Sequence, residues 1–397
     1  MKILQLIPQF ILPATDGGKI GIFNIIKEFS KYSKIELIVF TNHLPEEEYI
    51  NELKEYANIH FIVEDISNSS NNIIKSILHN KSVYLDKFYN QKILNQIDKI
   101  IENIEFDIIH ADHTSMAQIA EYIAKKKNKK FGLRLHNIEY MIWERYAKDL
   151  PIFDPKKIII KYQSGLLKKE EARLISESAI SFPITNKDKS IAKELSPNSK
   201  MIVASAGVDA AKLKRSKVER NPYQLVIATT YNWVHNINGL IWFIENVLSK
   251  VKVKIPNISL KLFGKNLPDS LKKYGHLGVE AIGFVDDIGI ELSKASIYIS
   301  PLFVGSGIRI KVLEALAYEL PVISTSISAE GIEIDEENGL FISDDAETQA
   351  NKIIALINNP QLINTIGERA RNAVLEKYTW ESNVKLMIDE YQKIIND

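Results

Sequence analysis

Short apolar runs alternate with longer amphipathic stretches through the first half of the chain. Lys2–Ile7 is predicted as a strand, Pro8–Gly18 as a loop holding two glycines, and Ile20–Tyr32 as a helix from its apolar spacing. Further strands are expected at Ile35–Phe40, His60–Val63, Phe106–His110, Lys130–Leu135, Ala179–Thr185 and Lys200–Ala204, with helices at Met116–Lys127 and Leu166–Ser178. The polar stretch Asp209–Pro222 breaks this rhythm and reads as a linker. The alternation then resumes. Strands are expected at Gln224–Thr229, Ser259–Phe263, Val279–Ile282, Ile297–Ser300, Pro321–Ser324 and Leu340–Ile342. Helices are expected at Gly239–Lys250, Ile290–Ser293, Ile310–Tyr318, Thr348–Ile357, Gln361–Tyr378 and Trp380–Ile395.

Strands separated by helices of this length imply parallel βαβ units. The expected architecture is α/β, with two doubly wound domains of similar size. The first covers 1–205 and is completed by a C-terminal helix at 381–397; 206–222 is the linker; the second covers 223–380. Open parallel sheets bind ligands beyond the carboxyl ends of their strands, so the natural place for a site is the cleft between two such domains.

Composition narrows the function classes. At 397 residues and 45% apolar, the chain has enough apolar side chain for full cores, which excludes disorder as its main state. Fifty Lys and Arg balance fifty Asp and Glu, so no global charge points to nucleic acid. With no cysteine there is no disulfide, thiolate metal site or cysteine nucleophile. The opening MKILQLIPQFIL is broken by Gln5, Pro8 and Gln9 and reads as a buried strand rather than an export signal, so a cytoplasmic location is expected.

Three places carry candidate chemistry. Gly17 and Gly18 lie between the first strand and helix, where free N–H groups favour anions. A tight turn explains them equally well, and neither a G-x-G-x-x-G fingerprint nor a P-loop is present. The stretch PLFVGSGIRIKVLE, 301–314, follows a strand and opens a helix. Its glycines Gly305 and Gly307 admit a ligand close to the backbone. Arg309 and Lys311 put two cations at a helix start, against the dipole, a conflict that an anion such as a diphosphate removes. Glu314, one turn on, suits ribose hydroxyls. His136 and His110 sit at carboxyl ends of predicted strands, where a histidine contacts a ligand or exchanges a proton. His110, Asp112 and His113 have poor spacing for a metal, and none is expected. No G-x-S-x-G or H-E-x-x-H supports hydrolase chemistry.

These residues resemble those of the retaining glycosyltransferases of family 4, which have the GT-B fold. AIGFVDD at 281–287 resembles the family's G-F-V-x-D stretch, and 295–325 resembles its donor-site block. ENGLFISDD at 337–345 and YTW at 378–380 follow in the family's order, as do Gly17-Gly18, HNIEY at 136–140 and AGVD at 206–209 in the first half. The resemblance implies a GT-B pair of Rossmann-like domains, the first for the acceptor and the second for a UDP- or GDP-sugar donor. It implies that Glu314 binds the ribose and that Gly305, Ser306, Gly307 and Ile308 contact donor sugar and phosphates. Phe284 and Val285 fall at the base-binding loop, and Val312 falls among the donor contacts. Arg309 and Lys311 would neutralise the leaving diphosphate, Gly17 and Gly18 would approach the phosphates, and His136 would meet the donor sugar. His110 and Asn137 are expected on the acceptor side.

The first glutamate of the family's Glu-x7-Glu motif is replaced by Ser306, and Asn236 stands near a lysine position. No cofactor is expected, the nucleotide-sugar being a substrate, and no metal is expected. The implied activity is retaining, metal-independent hexosyl transfer to a glycan or lipid-linked acceptor in surface polysaccharide or glycoconjugate biosynthesis. A catalytically silent nucleotide-sugar- or glycan-binding protein and a GT-B epimerase are the alternatives. Residues 125–173 carry fourteen Lys and Arg against six Asp and Glu, mixed with Ile and Leu. This pattern suits an anionic membrane surface and a peripheral location on its inner face; a solvated helix face explains it equally well.

Overall fold

The structure is a computed structural model that describes residues 1–14, 17–66, 76, 80–151, 153–209, 212–305 and 307–396. The chain divides into two compact units. Unit 1 is Met1–Ser205 with Asn383–Asp397, and unit 2 is Ala206–Ser382.

Unit 1 holds a six-stranded sheet, every pairing parallel, with strands β1 (Lys2–Ile7), β2 (Lys34–Thr41), β3 (Asn58–Val63), β4 (Ile108–Ala111), β5 (Phe131–Leu135) and β6 (Ile180–Pro183). The order is β3-β2-β1-β4-β5-β6, so direction of winding reverses between β1 and β4. Such a switch point leaves a crevice beyond the strand ends. The central strands are covered on both faces, which is why β4 reads Ile-Ile-His-Ala with all four residues buried. Helices Gln91–Glu102, Ala117–Lys127 and Pro155–Glu177 cover one face, adding Ile97, Ile123 and Leu174 to a core that includes Leu4, Ile109 and Leu133. Local chemistry sets their ends. Asn90 accepts from the Ile93 N–H, Asp154 accepts from the Lys156 N–H ahead of Pro155, and Asn128 stops its helix at φ 51°.

The expected strand Lys200–Ala204 is instead an extended segment hydrogen-bonded along β6, with one isolated bridge between Ser181 and Met201. The helix expected from Leu166 begins eleven residues earlier, at Pro155, and a further helix, Glu139–Asp149, precedes it. The last helix, Trp380–Asn396, delivers Tyr391 into unit 1, fully buried against the edges of Phe182 and His110.

Unit 2 repeats the plan with β7 (Gln224–Ala228), β8 (Ser259–Phe263), β9 (Val279–Gly283), β10 (Ile297–Ser300), β11 (Val322–Ser324) and β12 (Leu340–Ile342). All pairings are parallel, in the order β12-β11-β10-β7-β8-β9, with the switch point between β10 and β7. Residues 212–222, part of the expected linker Asp209–Pro222, belong to unit 2. The Asn221 N–H donates to Lys294 O, Arg220 donates to Glu319 O, and the Ser216 N–H donates to Ser293 Oγ.

Candidate functional site

At the switch point of unit 1 the strand order brings together residues far apart in sequence. Gln5 on β1 is in register with His110 on β4, and Asp112 follows β4. Arg134 is on β5 and His136 follows it. Asp112, with no exposure at all, is the hub. Its Oδ2 accepts from Gln5 Nε2 at 2.8 Å, and its Oδ1 accepts from Arg134 Nη1 at 3.0 Å and from His136 Nε2 at 3.0 Å. The two donors converge on one oxygen, which is why Arg134 Nη1 and His136 Nε2 stand 2.9 Å apart. With its Nε2–H given to Asp112, neutral His136 keeps the Nδ1 lone pair for a ligand. Its side chain is 12% exposed.

The charges are strongly coupled. Burial pushes the Asp112 carboxyl up, but the Arg134 guanidinium and the two histidines outweigh it and hold the carboxyl well below its usual range. His110 Nε2 is 3.8 Å from Asp112 Oδ1, past hydrogen-bond range. Burial and the Arg134 charge lower His136 against the pull of Asp112. His113, whose ring centroid is 5.2 Å from that of His136, is lowered to about 3 by burial and by its neighbour, so it is neutral at working pH. Below this layer Glu171 accepts the N–H groups of Glu139 and Tyr140, at 3.0 and 3.2 Å, at the start of helix Glu139–Asp149. Burial raises Glu139 to about 7 and Glu171 to about 8.

His110 does not occupy the position expected of it. It is wholly buried, its Nδ1 is 2.6 Å from Tyr391 Oη, and the edge of Phe29 closes over its ring. An acceptor has no access to it, and its observed role is to tie the last helix to β4. Asn137, next to His136, is half-buried. Gly17 and Gly18 open helix Gly17–Phe29 after β1, both exposed, and a Cβ on Gly17 would meet nothing within 4 Å.

In unit 2 the turn after β10 leads into helix Ile310–Ala317. Gly305 and Gly307 have φ of +147° and +79°, conformations that favour glycine. Arg309 is the N-cap residue and makes no side-chain cap; it folds back so that Nη1 donates to Gly307 O at 2.9 Å. Burial lowers its pKa, opposed by Glu330. Lys311 is exposed and paired with Glu314 at 2.8 Å, and the first turn has no acidic residue. Helix Val234–Phe243, which follows β7, closes on this turn. A Cβ on Gly239 would lie 2.1 Å from Pro301 O, and the Trp242 and Phe303 rings meet edge-on at 4.5 Å. Asn236 is bound to Thr229 Oγ1 and Thr230 O.

Phe284 is exposed after β9, with Lys265 Nζ 5.0 Å from its ring centre, while Val285 and Ile308 pack partly against the core. Val312, expected among the donor contacts, instead has its side chain fully buried in the unit 2 core. Ser306 lies outside the described residues. Unit 1 thus gathers His136, Asn137 and the Gly17-Gly18 start at one sheet end. Unit 2 gathers Gly305, Gly307, Arg309, Lys311 and Glu314 in one turn and helix. Sequence reading overlooked Asp112 and Arg134 as partners of His136. The order β1-β4-β5, which brings them together, was not among its expectations, although a carboxylate directly after a buried strand was a usable signal.

Residues 223–359 match the family model "Glycosyl transferases group 1". The chain is 30% identical to the uncharacterized glycosyltransferase MJ1069 of Methanocaldococcus jannaschii over 42% of this chain and 43% of that protein, and so spans less than half of that relative. Two solved structures superpose over the whole length. Sucrose-phosphate synthase from Thermosynechococcus elongatus has a TM-score of 0.67 at 13% identity, covering 100% of this chain and 99% of that one. Anabaena HepE, solved with UDP, has a TM-score of 0.67 at 13% identity, covering 99% and 100%. Identity at this level carries the fold alone. Two six-stranded parallel sheets with flanking helices are the GT-B arrangement, and unit 2 carries the group 1 glycosyltransferase pattern.

Proposed function

We propose that the protein is a retaining, metal-independent glycosyltransferase that moves a hexosyl group from a UDP- or GDP-sugar to a glycan or lipid-linked acceptor in surface polysaccharide biosynthesis, working at an anionic membrane surface. The carrying observation is Gly305, Gly307 and Arg309 ahead of helix Ile310–Ala317, inside the segment matching the family model. The name of the archaeal relative and the UDP in HepE support the reading.

In this reading the backbone of Gly305 and Gly307 lies along the donor sugar and phosphates. Arg309 leaves the Gly307 carbonyl, and Lys311 leaves Glu314, to meet the diphosphate; Glu314 then accepts from the ribose. Opposing the charge that develops as the bond breaks is what lowers the barrier. The C1–O bond to the diphosphate breaks, the acceptor oxygen bonds C1 on the same face, and its proton passes to the leaving phosphate oxygen. His136 Nδ1 accepts from a donor-sugar hydroxyl.

Thermal shift against UDP-, GDP- and ADP-sugars, with and without magnesium, tests this. A rise with one donor, equal without magnesium and lost in Glu314→Ala, is expected. No rise with any donor refutes it. Binding without slow donor hydrolysis favours a silent binder.

A further inference from the structure

Helix Ile310–Ala317 opens beside two cations and has no acid in its first turn, an arrangement the helix dipole disfavours. Each cation is answered by a carboxylate from elsewhere. Lys311 Nζ reaches forward to Glu314 at 2.8 Å. Arg309 folds back over the glycines ahead of the helix. Its Nη1 donates to Gly307 O at 2.9 Å, and its Nη2 lies 2.1 Å from where a Cβ on Gly305 would stand. The acidic charge that acts on Arg309 is that of Glu330.

The fold fixes the place of Glu330. Strands β10 and β11 run parallel and adjacent, so the segments after them leave the sheet at the same end, side by side. Leu302 stitches the two together. Its N–H donates to Ser328 Oγ at 2.9 Å, and its carbonyl accepts from Thr325 Oγ1. The Ser328 and Ala329 N–H groups return to Thr325, at Oγ1 (3.2 Å) and O (3.1 Å), and the Glu330 N–H donates to Ile327 O at 3.3 Å. Thr325 and Ser328 have no exposure. Ala329 and Ile332, on either side of Glu330 in sequence, are buried in the same core cluster as Val312 and Leu313 of the helix. Glu330 itself is half-buried. It is therefore carried on a scaffold that is locked to the segment after β10 and to the helix beyond it.

We propose that Glu330 makes the site select a nucleotide-sugar over the bare nucleotide: it competes with an incoming diphosphate for Arg309 and, once displaced, accepts hydrogen bonds from hydroxyls of the attached sugar. The inference rests on the proposed donor-site reading and deepens it by naming what separates donor from product. A bare nucleoside diphosphate draws Arg309 away and leaves a half-buried carboxylate unmatched, which opposes its binding. A nucleotide-sugar brings hydroxyl donors to that carboxylate, and O–H donors to an ionised oxygen make strong hydrogen bonds. The donor is thereby favoured, and the nucleotide that has lost its sugar is released.

The test is titration calorimetry of the full chain with UDP, GDP, UDP-glucose, UDP-N-acetylglucosamine and GDP-mannose, wild type beside Glu330→Gln. The substitution keeps the shape and removes the charge. The bare nucleotide is expected to bind more tightly to the variant, while its nucleotide-sugar does not, so that the preference for the sugar-bearing form falls by about tenfold. Glu330→Ser gives the same pattern, so the result does not depend on the amide being tolerated. In an Arg309→Ala background the gain for the bare nucleotide disappears, because Glu330 acts through Arg309. A glutamate that only supports the fold weakens every ligand together when it is replaced. That parallel loss, or a bare nucleotide that binds no more tightly to either variant, overturns the proposal. The two ideas fail differently. A wild type that binds neither nucleotide nor nucleotide-sugar defeats the donor-site reading and this inference with it, whereas binding with a preference that Glu330→Gln does not move defeats only the inference.

Discussion

Asp112→Asn is a sharp test of the unit 1 network. The change is isosteric, so packing is kept and only charge and one acceptor are lost. Asp112 is fully buried, and Arg134, whose side chain is 3% exposed, has it as its carboxylate partner at 3.0 Å. Removing the carboxylate strands a buried guanidinium, and breaking a buried pair in this way costs about 3–5 kcal/mol. The new amide nitrogen also faces a donor, Gln5 Nε2 or the pair Arg134 and His136, whichever way it flips. For a unit spanning 1–205 and 383–397, each kcal/mol moves the midpoint by about 2–4 °C, so the unit 1 transition falls by about 6–20 °C at neutral pH.

The pH dependence has a fixed sign. The Asp112 carboxyl is depressed in the folded protein, so its contribution is complete above its ordinary value of 3.8 and is lost as pH falls through the folded value. The gap between wild type and variant is therefore widest above pH 4 and narrows in acid. Differential scanning calorimetry at pH 7 and in acid reads both. Adding Arg134→Met to the variant removes the stranded cation and restores part of the loss, which a double-mutant cycle measures. A variant that melts within about 2 °C of wild type at pH 7, well under the range above, refutes the claim that Asp112 holds the buried charge.

Three further outcomes follow from the same geometry. Tyr391→Phe leaves the buried His110 Nδ1 without its 2.6 Å partner; a loss of about 1–3 kcal/mol is expected in unit 1 by denaturant unfolding, and the His110 contact is immaterial if the midpoint does not move. Glu171, raised to about 8 by burial, favours its protonated form in the folded state, so its stabilising effect is present below pH 4.5 and is lost as pH rises through 8; Glu171→Gln flattens that decline, and a parallel stability–pH curve refutes the assignment. Gly305→Ala places a Cβ 2.1 Å from Arg309 Nη2 at φ +147°, so the guanidinium is displaced and the turn strained by about 1–3 kcal/mol; nucleotide-sugar binding by calorimetry weakens, and unchanged binding removes the turn from the donor site.

The fold was legible wherever a run of apolar residues met a clear stop. β1, β8, β10 and β12 fall at their expected bounds. The helical pair was harder. Ile138, Tyr140, Met141, Ile142 and Trp143 are apolar nearly all round, which gives no 3.6-residue period, and Pro155–Glu177 is apolar on two sides, which blurs its own. Its start was nonetheless written in Asp154-Pro155, an N-cap followed by proline at the first helical position. The turn after β10 was legible because its glycines and cations lie close together in sequence, so local chemistry alone exposes it.

Unit 1 is different, because its site is made by strand order. In a sheet covered on both faces the strands lack alternation, so nothing in Ile-Ile-His-Ala says which way His110 points. Once β1 is placed between β2 and β4, the assignment follows. His110 turns toward the last helix and Tyr391, while Asp112, beyond the strand end, meets Gln5, Arg134 and His136. Two histidines that look alike in sequence are thus separated by position: one is enclosed and tied to Tyr391, and the other stays partly open with one ring nitrogen held by a carboxylate. Fixing one nitrogen of an imidazole determines what the other offers a ligand. The network around Asp112 therefore favours the His136 tautomer that carries its proton on Nε2, while burial and the Arg134 charge favour the neutral ring.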